Sequence, residues 1–318
     1  MKIVMLAPPS EETLAGELCA ELARESFQTE RAFLGKEGIR TLTTSLNEAT
    51  HAVVLMQEDC LLSKDYYYAL GFFCGRDVPW IIYSSANLEL PDYLSDQTCI
   101  SAVPALIEFF TEERARWTAQ RDRQRAREEL TNLGYALTDQ ALADCVSEGV
   151  LVAVERYIQG GFSPDARDNK GVPLLCCAVR NRHTGMVQFL VSHGADVNAV
   201  SEDRGNTPIM DAAADGNSEL TGLLLHAGAA LDGQSKNGQT ALVLAVGQGA
   251  EKTAELLLMG GADPHIKDQL GMSARKYAEL FRLELVLDLI DARESEARNG
   301  TGEEARETEA DLPDEEDP

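Results

Sequence analysis

Positive charge is scarce in this sequence. Its 318 residues hold 28 Lys and Arg against 53 Asp and Glu, a formal net charge of −25. Such a chain repels phosphates, which excludes nonspecific binding to nucleic acid and favours solubility and a basic partner surface. Any Cys-x-x-Cys pair is also missing. The seven cysteines, at 19, 60, 74, 99, 145, 176 and 177, are scattered through apolar runs. That pattern excludes the common zinc and redox spacings and predicts reduced thiols in a core, hence a reducing compartment. No run approaches the ~18 apolar residues of a membrane helix. The start, MKIVMLAPPSEE, is too short and too soon acidic for a secretory signal. A soluble, cytoplasmic protein without a membrane partner is expected. The Gly-x-Gly-x-x-Gly fingerprint and the phosphate-loop motif are missing as well, and in APPSEETLAG (7–16) Glu11 and Glu12 would repel a phosphate.

What is present divides in two. Hydrophobic residues make up 44% of the chain, enough for real cores, and the length fits two domains of roughly 100–200 residues each. Up to about residue 112, strand-like and helix-like segments alternate. KIVMLA (2–7), a weaker run near FQTERAFLG, HAVVLMQ (51–57), VPWIIYSS and CISAV (99–103) read as strands. Between them, 11–26 carries Leu14, Leu18 and Leu22 at helical spacing with Ser10 as a candidate N-cap, and 43–50 and 64–75 also read as helices. The near-continuous apolar runs predict a parallel sheet covered on both faces. Residues 113–134 follow as a charged linker helix, with Pro104 at the helix start and Arg114, Arg116, Arg121, Arg123, Arg125 and Arg127 interleaved with acids.

From 135 to 293 the chain repeats. Gly171, Gly205, Gly238 and Gly271 are spaced 34, 33 and 33, and Gly161, Gly194, Gly228 and Gly261 are spaced 33, 34 and 33. GNTPIMDAAADGN (205–217) parallels GVPLLCCAVRNRH (171–183) and GQTALVLAVGQGA (238–250), and MVQFLVSHGADVNAV (186–200) parallels TAELLLMGGADPHIK (253–267). Thr207 is placed to cap a helix and Pro208 suits its first turn; Val172-Pro173, Thr240-Ala241 and Ser273-Ala274 match in part. Ala178, Ala212, Ala245 and Ala278 are small where helices must approach closely. Gly194 and Gly261 stand where a left-handed residue ends a helix. This pattern resembles the ankyrin repeat, with about five units, 137–169 and 271–293 being divergent caps. The resemblance implies an all-α solenoid that binds a protein along its concave face. By register that face includes Asn169, Lys170, Arg180, Asn181, Asp203, Arg204, Asp215, Lys236, Asn237 and Gln248. His183, His193, His226 and His265 fall in different repeats, so no metal site is expected. Residues 294–318 set eleven acids against two arginines, and an acidic, disordered tail is expected.

The stretch SKDYYYALGFFCGRD (63–77) bears on the first half. Ala69-Leu70-Gly71-Phe72-Phe73, then Gly75-Arg76-Asp77-Val78-Pro79, resembles the nucleoside 2-deoxyribosyltransferase-like and TIR families, which share a flavodoxin-like sheet. Over about 110 residues the resemblance implies a flavodoxin-like domain, 1–112. It also implies a key Glu on this helix for work on an N-glycosidic bond, and that position is Ala69. A methyl group supplies neither a nucleophile nor charge stabilisation. Asp65, one turn earlier, is the nearest substitute. No cofactor is called for, but a nucleotide or NAD-like ligand has candidate contacts in Asp59, Ser63, Asp65, Tyr66 and Tyr67, near a strand's C-terminal end. Two functional readings stand. One is an interaction or scaffold protein with a non-catalytic first domain. The other is an N-glycosidic-bond enzyme, a deoxyribosyltransferase or NAD hydrolase, recruited by its repeats. Self-association of the first domain, as TIR modules do, is a third.

Overall fold

The computed structural model describes residues 1–34, 46–57, 64–84, 90 and 94–295. The chain divides into two compact units at Arg121/Asp122.

The first unit is built on a five-stranded parallel sheet. Its strands are β1 (Lys2–Ala7), β2 (Gln28–Phe33), β3 (His51–Leu55), β4 (Trp80–Tyr83) and β5 (Cys99–Ile100). They stand in the order β2-β1-β3-β4-β5. Successive side chains of a strand point to opposite faces, so one strand feeds two cores. Ile3, Met5 and Ala7 of β1 join Val53, Leu55 and Ile81 on one face, with Leu18 and Leu22 of α1 (Glu12–Arg24). Val4 and Leu6 join Ala52, Val54 and Ile82 on the other, with Tyr66, Ala69 and Phe73 of α2 (Lys64–Gly75). The apolar runs seen in the sequence are therefore strands covered on both sides, as read. Ser10 does not cap α1. A tight 3-10 turn, Pro9–Glu11, moves the helix start to Glu12, and its N-cap Glu11 makes no side-chain cap bond.

The charged segment is part of one 30-residue helix, α3 (Val103–Asn132). Leu106 and Phe110 belong to the first unit's core and Leu130 to the second's. Several of its arginines pack rather than float. Arg114 donates to the Glu25 carbonyl at 2.9 Å and lies 4.4 Å from the Phe27 ring centroid, and Arg127 donates to the Gly160 carbonyl at 2.8 Å.

The second unit stacks five helical pairs among the described residues. They are α4 (Asp139–Glu148) with α5 (Leu151–Gln159), α6 (Leu174–Arg180) with α7 (Thr184–Ser192), and α8 (Pro208–Ala214) with α9 (Ser218–His226). Next come α10 (Ala241–Gly247) with α11 (Glu251–Gly260), then α12 (Ala274–Phe281) with the helical residues 284–295. First helices pack on first helices, α4 on α6, α6 on α8, α8 on α10 and α10 on α12; α9 packs on α11. Ala178, Ala212, Ala245 and Ala278 are fully buried, as their small size predicted. So is a column one repeat apart: Tyr157, Leu190, Leu224, Leu257 and Ile290. Gly194 and Gly261 have φ of +86° and +107°, the left-handed exits expected of them. Caps vary between repeats. Thr240 Oγ1 accepts from the Val243 amide at 3.2 Å and Ser273 Oγ from Lys276 at 3.4 Å. Thr207 stands at the N-cap without a cap bond, its hydroxyl buried and unpartnered. Pro173 sits at the N-cap of α6, one position earlier than Pro208 in α8. No described helix is long and apolar enough to cross a membrane.

His51, on β3, is 2% exposed, beside Phe110 and 3.7 Å from Glu113 Oε2. Burial pulls its pKa below the ordinary value, and Glu113 offsets this only in part. The folded state therefore holds a neutral ring. Stability is fully present above the unfolded value of about 6.5 and falls as pH drops through it. Both tryptophans, Trp80 and Trp117, lie in this unit. Tryptophan fluorescence should show the urea midpoint falling between about pH 7.5 and 5, with a shallower slope in His51→Asn. Equal slopes would refute the assignment.

Candidate interaction surface

The solenoid's loops are stitched together by backbone. The Glu202 amide donates to the Gly171 carbonyl at 3.1 Å, Lys236 to Arg204 at 3.0 Å, and Gln269 to Asn237 at 3.0 Å. Side chains reinforce this ribbon. Arg167 donates to the Val200 carbonyl at 2.8 Å, Gln234 to Lys267 at 3.1 Å, and Gln269 to Lys236 at 2.7 Å. Each bond joins one repeat to the next, so the tips form a continuous edge with little conformational freedom left to lose on binding. A shallow groove of about 520 Å³ opens along it, lined by Val200, Ser201, Glu202, Gly205, Gln234, Ser235 and Lys236.

Most residues assigned to the partner face lie on this edge or beside it. Lys170, Arg204, Lys236 and Asn237 are exposed at the tips, and Asn169 donates its amide to Gln140 Oε1 at 2.7 Å. Gln248 and Asp215 are exposed just past α10 and α8. Asp215 is paired with Arg182, Nη2 to Oδ1, at 2.5 Å. The Asn181 side chain is turned back onto the Cys177 carbonyl at 2.8 Å.

Arg180 corrects the sequence reading. Its guanidinium is half-buried and spent on the neighbouring repeat: Nε donates to Asp211 at 2.6 Å and Nη1 to Asp203 at 2.7 Å, with Ser201 Oγ at 3.2 Å. Asp211, its side chain 2% exposed, also accepts from Asn206 Nδ2 at 2.8 Å. Hydrogen bonding from Arg180 holds the Asp203 carboxyl well below the usual carboxylate range. The group is a structural tie, with no free cation to offer. Asp211 and Arg182 were missed. A carboxylate inside MDAAA, where the other repeats carry Cys177, Leu244 and Tyr277, was the available signal.

The candidate ligand residues of the first unit separate too. Asp59 and Ser63 lie outside the described residues, and of Asp65 only its place in α2 is described. Tyr66 is corrected: it is 3% exposed in the core, its hydroxyl donating to the Leu55 carbonyl, so its ring cannot stack on a base. Tyr67 is 51% exposed. Ala69 is fully buried against the sheet. Among the thiols, Cys19, Cys145, Cys176 and Cys177 are buried, but Cys74 and Cys99 are exposed, which corrects the reading of all as core residues. Burial pushes the Cys177 thiol up to about 11, so it forms no thiolate nucleophile at neutral pH. Among the described residues no group of three or more His, Cys, Asp or Glu could hold a metal ion.

Removing Arg180 strands two carboxylates, one of them buried. Arg180→Met should cost roughly 3–5 kcal/mol at neutral pH. The double variant Arg180→Met/Asp211→Leu should recover part of this, since position 244 carries leucine at the same register. Urea denaturation followed by circular dichroism measures both. The Asp203 contribution is present above the unfolded carboxylate pKa of about 3.9 and disappears as pH falls through the lower folded value.

Comparison with known proteins agrees with this architecture. The family model "Ankyrin repeats (3 copies)" matches residues 142–234 and 196–268. An ankyrin repeat-containing protein of Treponema pallidum (strain Nichols) is 33% identical over 238 residues, 74% of this chain and 80% of that protein. The nuclear factor NF-kappa-B p105 subunit of Gallus gallus is 32% identical over 105 residues, 33% of this chain and 11% of that protein. The B-cell lymphoma 3 protein homolog of Mus musculus is 28% identical over 142 residues, 45% of this chain and 31% of that protein. With its five stacked helical pairs and its ladder of loop tips, the chain belongs to the family of ankyrin-repeat proteins.

Proposed function

We propose that this chain is an interaction protein. It holds a partner on the loop tips and first-helix ends of its solenoid, and its first unit does no catalysis. Ankyrin repeats indicate protein–protein interaction. The observation that carries the finer reading is the stitched edge, Gly171–Glu202, Arg204–Lys236 and Asn237–Gln269, which presents exposed polar residues on a fixed frame. A scaffold role accords with such a surface. For the first unit, the strand order β2-β1-β3-β4-β5 supports a flavodoxin-like domain of the transferase and TIR type. The burial of Ala69 supports loss of its chemistry, because a side chain packed against the sheet does not reach a substrate. The free thiols support a reducing, cytoplasmic setting.

Two measurements test the reading. A photo-crosslinking residue at Gln248 should capture a protein that the same residue at Met259, 76% exposed on α11, does not. Equal capture at both positions, or none at either, would remove the assignment. Incubated with NAD or deoxynucleosides, the protein should release neither nicotinamide nor free base. Release that disappears in Asp65→Ala would restore the enzyme reading.

A further inference from the structure

The four loop segments 167–172, 200–206, 234–239 and 267–272 carry five cations and four carboxylates, in a chain whose formal net charge is −25. An anion is repelled less here than over the acidic chain as a whole. Lys170, Arg204, Lys236 and Lys267 are exposed, one in each successive loop, and among the described residues none of them is in an ion pair. Lys236 Nζ donates to the Glu202 carbonyl. Three of the four carboxylates between them are engaged by groups of the solenoid itself. Asp168 accepts from the amides of Lys170 and Val172, both at 2.8 Å. Asp203 is held by Arg180. Asp268 accepts from the amides of Leu270 and Met272, both at 2.9 Å, and from the Tyr277 hydroxyl at 2.8 Å. Glu202 and Asp203 are both exposed, and of the two only Asp203 is engaged by Arg180.

The row ends on apolar surface. Leu270, at the last tip, is 81% exposed. Through Asp268 its loop is tied to Tyr277, whose ring stacks on Phe281 with centroids 6.0 Å apart; Leu280, just before Phe281 in the chain, is 64% exposed. Leu270, Leu280 and Phe281 thus leave large apolar side chains exposed on the last repeat, the kind of surface that a partner covers.

We propose that the loop edge binds an extended acidic segment of a partner protein, its carboxylates meeting Lys170, Arg204, Lys236 and Lys267 in turn and an apolar residue meeting Leu270. The proposal rests on the interaction reading above and names the partner's chemistry. Neighbouring helices pack about 8–10 Å apart, and an extended chain rises about 3.3 Å per residue, so an acid at roughly every third residue matches one repeat per acid. The frame is already ordered by its backbone bonds, so the peptide alone loses conformational freedom.

The test is fluorescence anisotropy with the full chain and a labelled synthetic peptide that has glutamate at every third position and ends in Leu-Phe. Lys170→Gln/Arg204→Gln/Lys236→Gln should weaken binding about tenfold or more. Leu270→Ser/Leu280→Ser should weaken it for this peptide and leave a peptide lacking Leu-Phe unchanged. These side chains are exposed, so unchanged circular dichroism confirms folding. Equal binding of the glutamine version of the peptide, equal binding by the triple variant, or no binding at ~1 mM peptide overturns the proposal. Binding seen only in a chain ending at residue 295 overturns it too, because the occupant would then be the protein's own acidic segment. If crosslinking at Gln248 captures a partner while the peptide fails, the interaction reading stands and this inference alone falls.

Discussion

One helical pair of this solenoid has an apolar side toward each neighbour, and only stacking covers both. That constraint fixes the rest of the second unit. The buried column Tyr157, Leu190, Leu224, Leu257 and Ile290 recurs at a constant register, and the buried alanines of the first helices let the layers close up. Once the column is aligned, the loops align as well. Bonds such as Lys236 to Arg204 and Gln269 to Asn237 then form without further adjustment. A second ladder runs beside the first: the side chains of Asp165, Asn198 and Asp232 accept from the amides of Asp196, Ala230 and Asp263, each one repeat later. The surface offered to a partner is thus a by-product of how the core is closed.

The sheet unit obeys a different rule. Its central strands β1, β3 and β4 bury both faces, so no single stripe of the sequence marks the core; alternate residues of β1 serve two separate clusters. Here α2 is informative. Tyr66, Ala69 and Phe73 form the stripe that meets the sheet, while Tyr67 faces outward. A family resemblance that places a carboxylate at position 69 therefore places it where this chain has only packing.

Much of this was legible in the sequence, and the reason is locality. Glycines that end helices, alanines at close approaches and apolar runs of strand length all signal through their own neighbourhood. What was misread depends on partners far along the chain. Arg180 looked like a free cation because its two carboxylates stand 23 and 31 residues later, in the next repeat. Tyr66 looked like a ligand contact because the face of α2 that meets the sheet is set by strands outside the helix. The i, i+3, i+7 spacing of 66, 69 and 73 was nonetheless there to be read. Thr207 matched the motif and still failed to cap, since side-chain geometry at a helix start is decided after the backbone is placed.

The loop ladder also changes what a loop is in this protein. The amides of Glu202, Lys236 and Gln269 sit at exposed tips, where backbone hydrogens ordinarily trade with water within moments of opening. Each is instead sheltered by an acceptor that belongs to the preceding repeat. Its exchange is then governed by whether that repeat is folded, so three surface positions record, one by one, how far along the solenoid order has been lost.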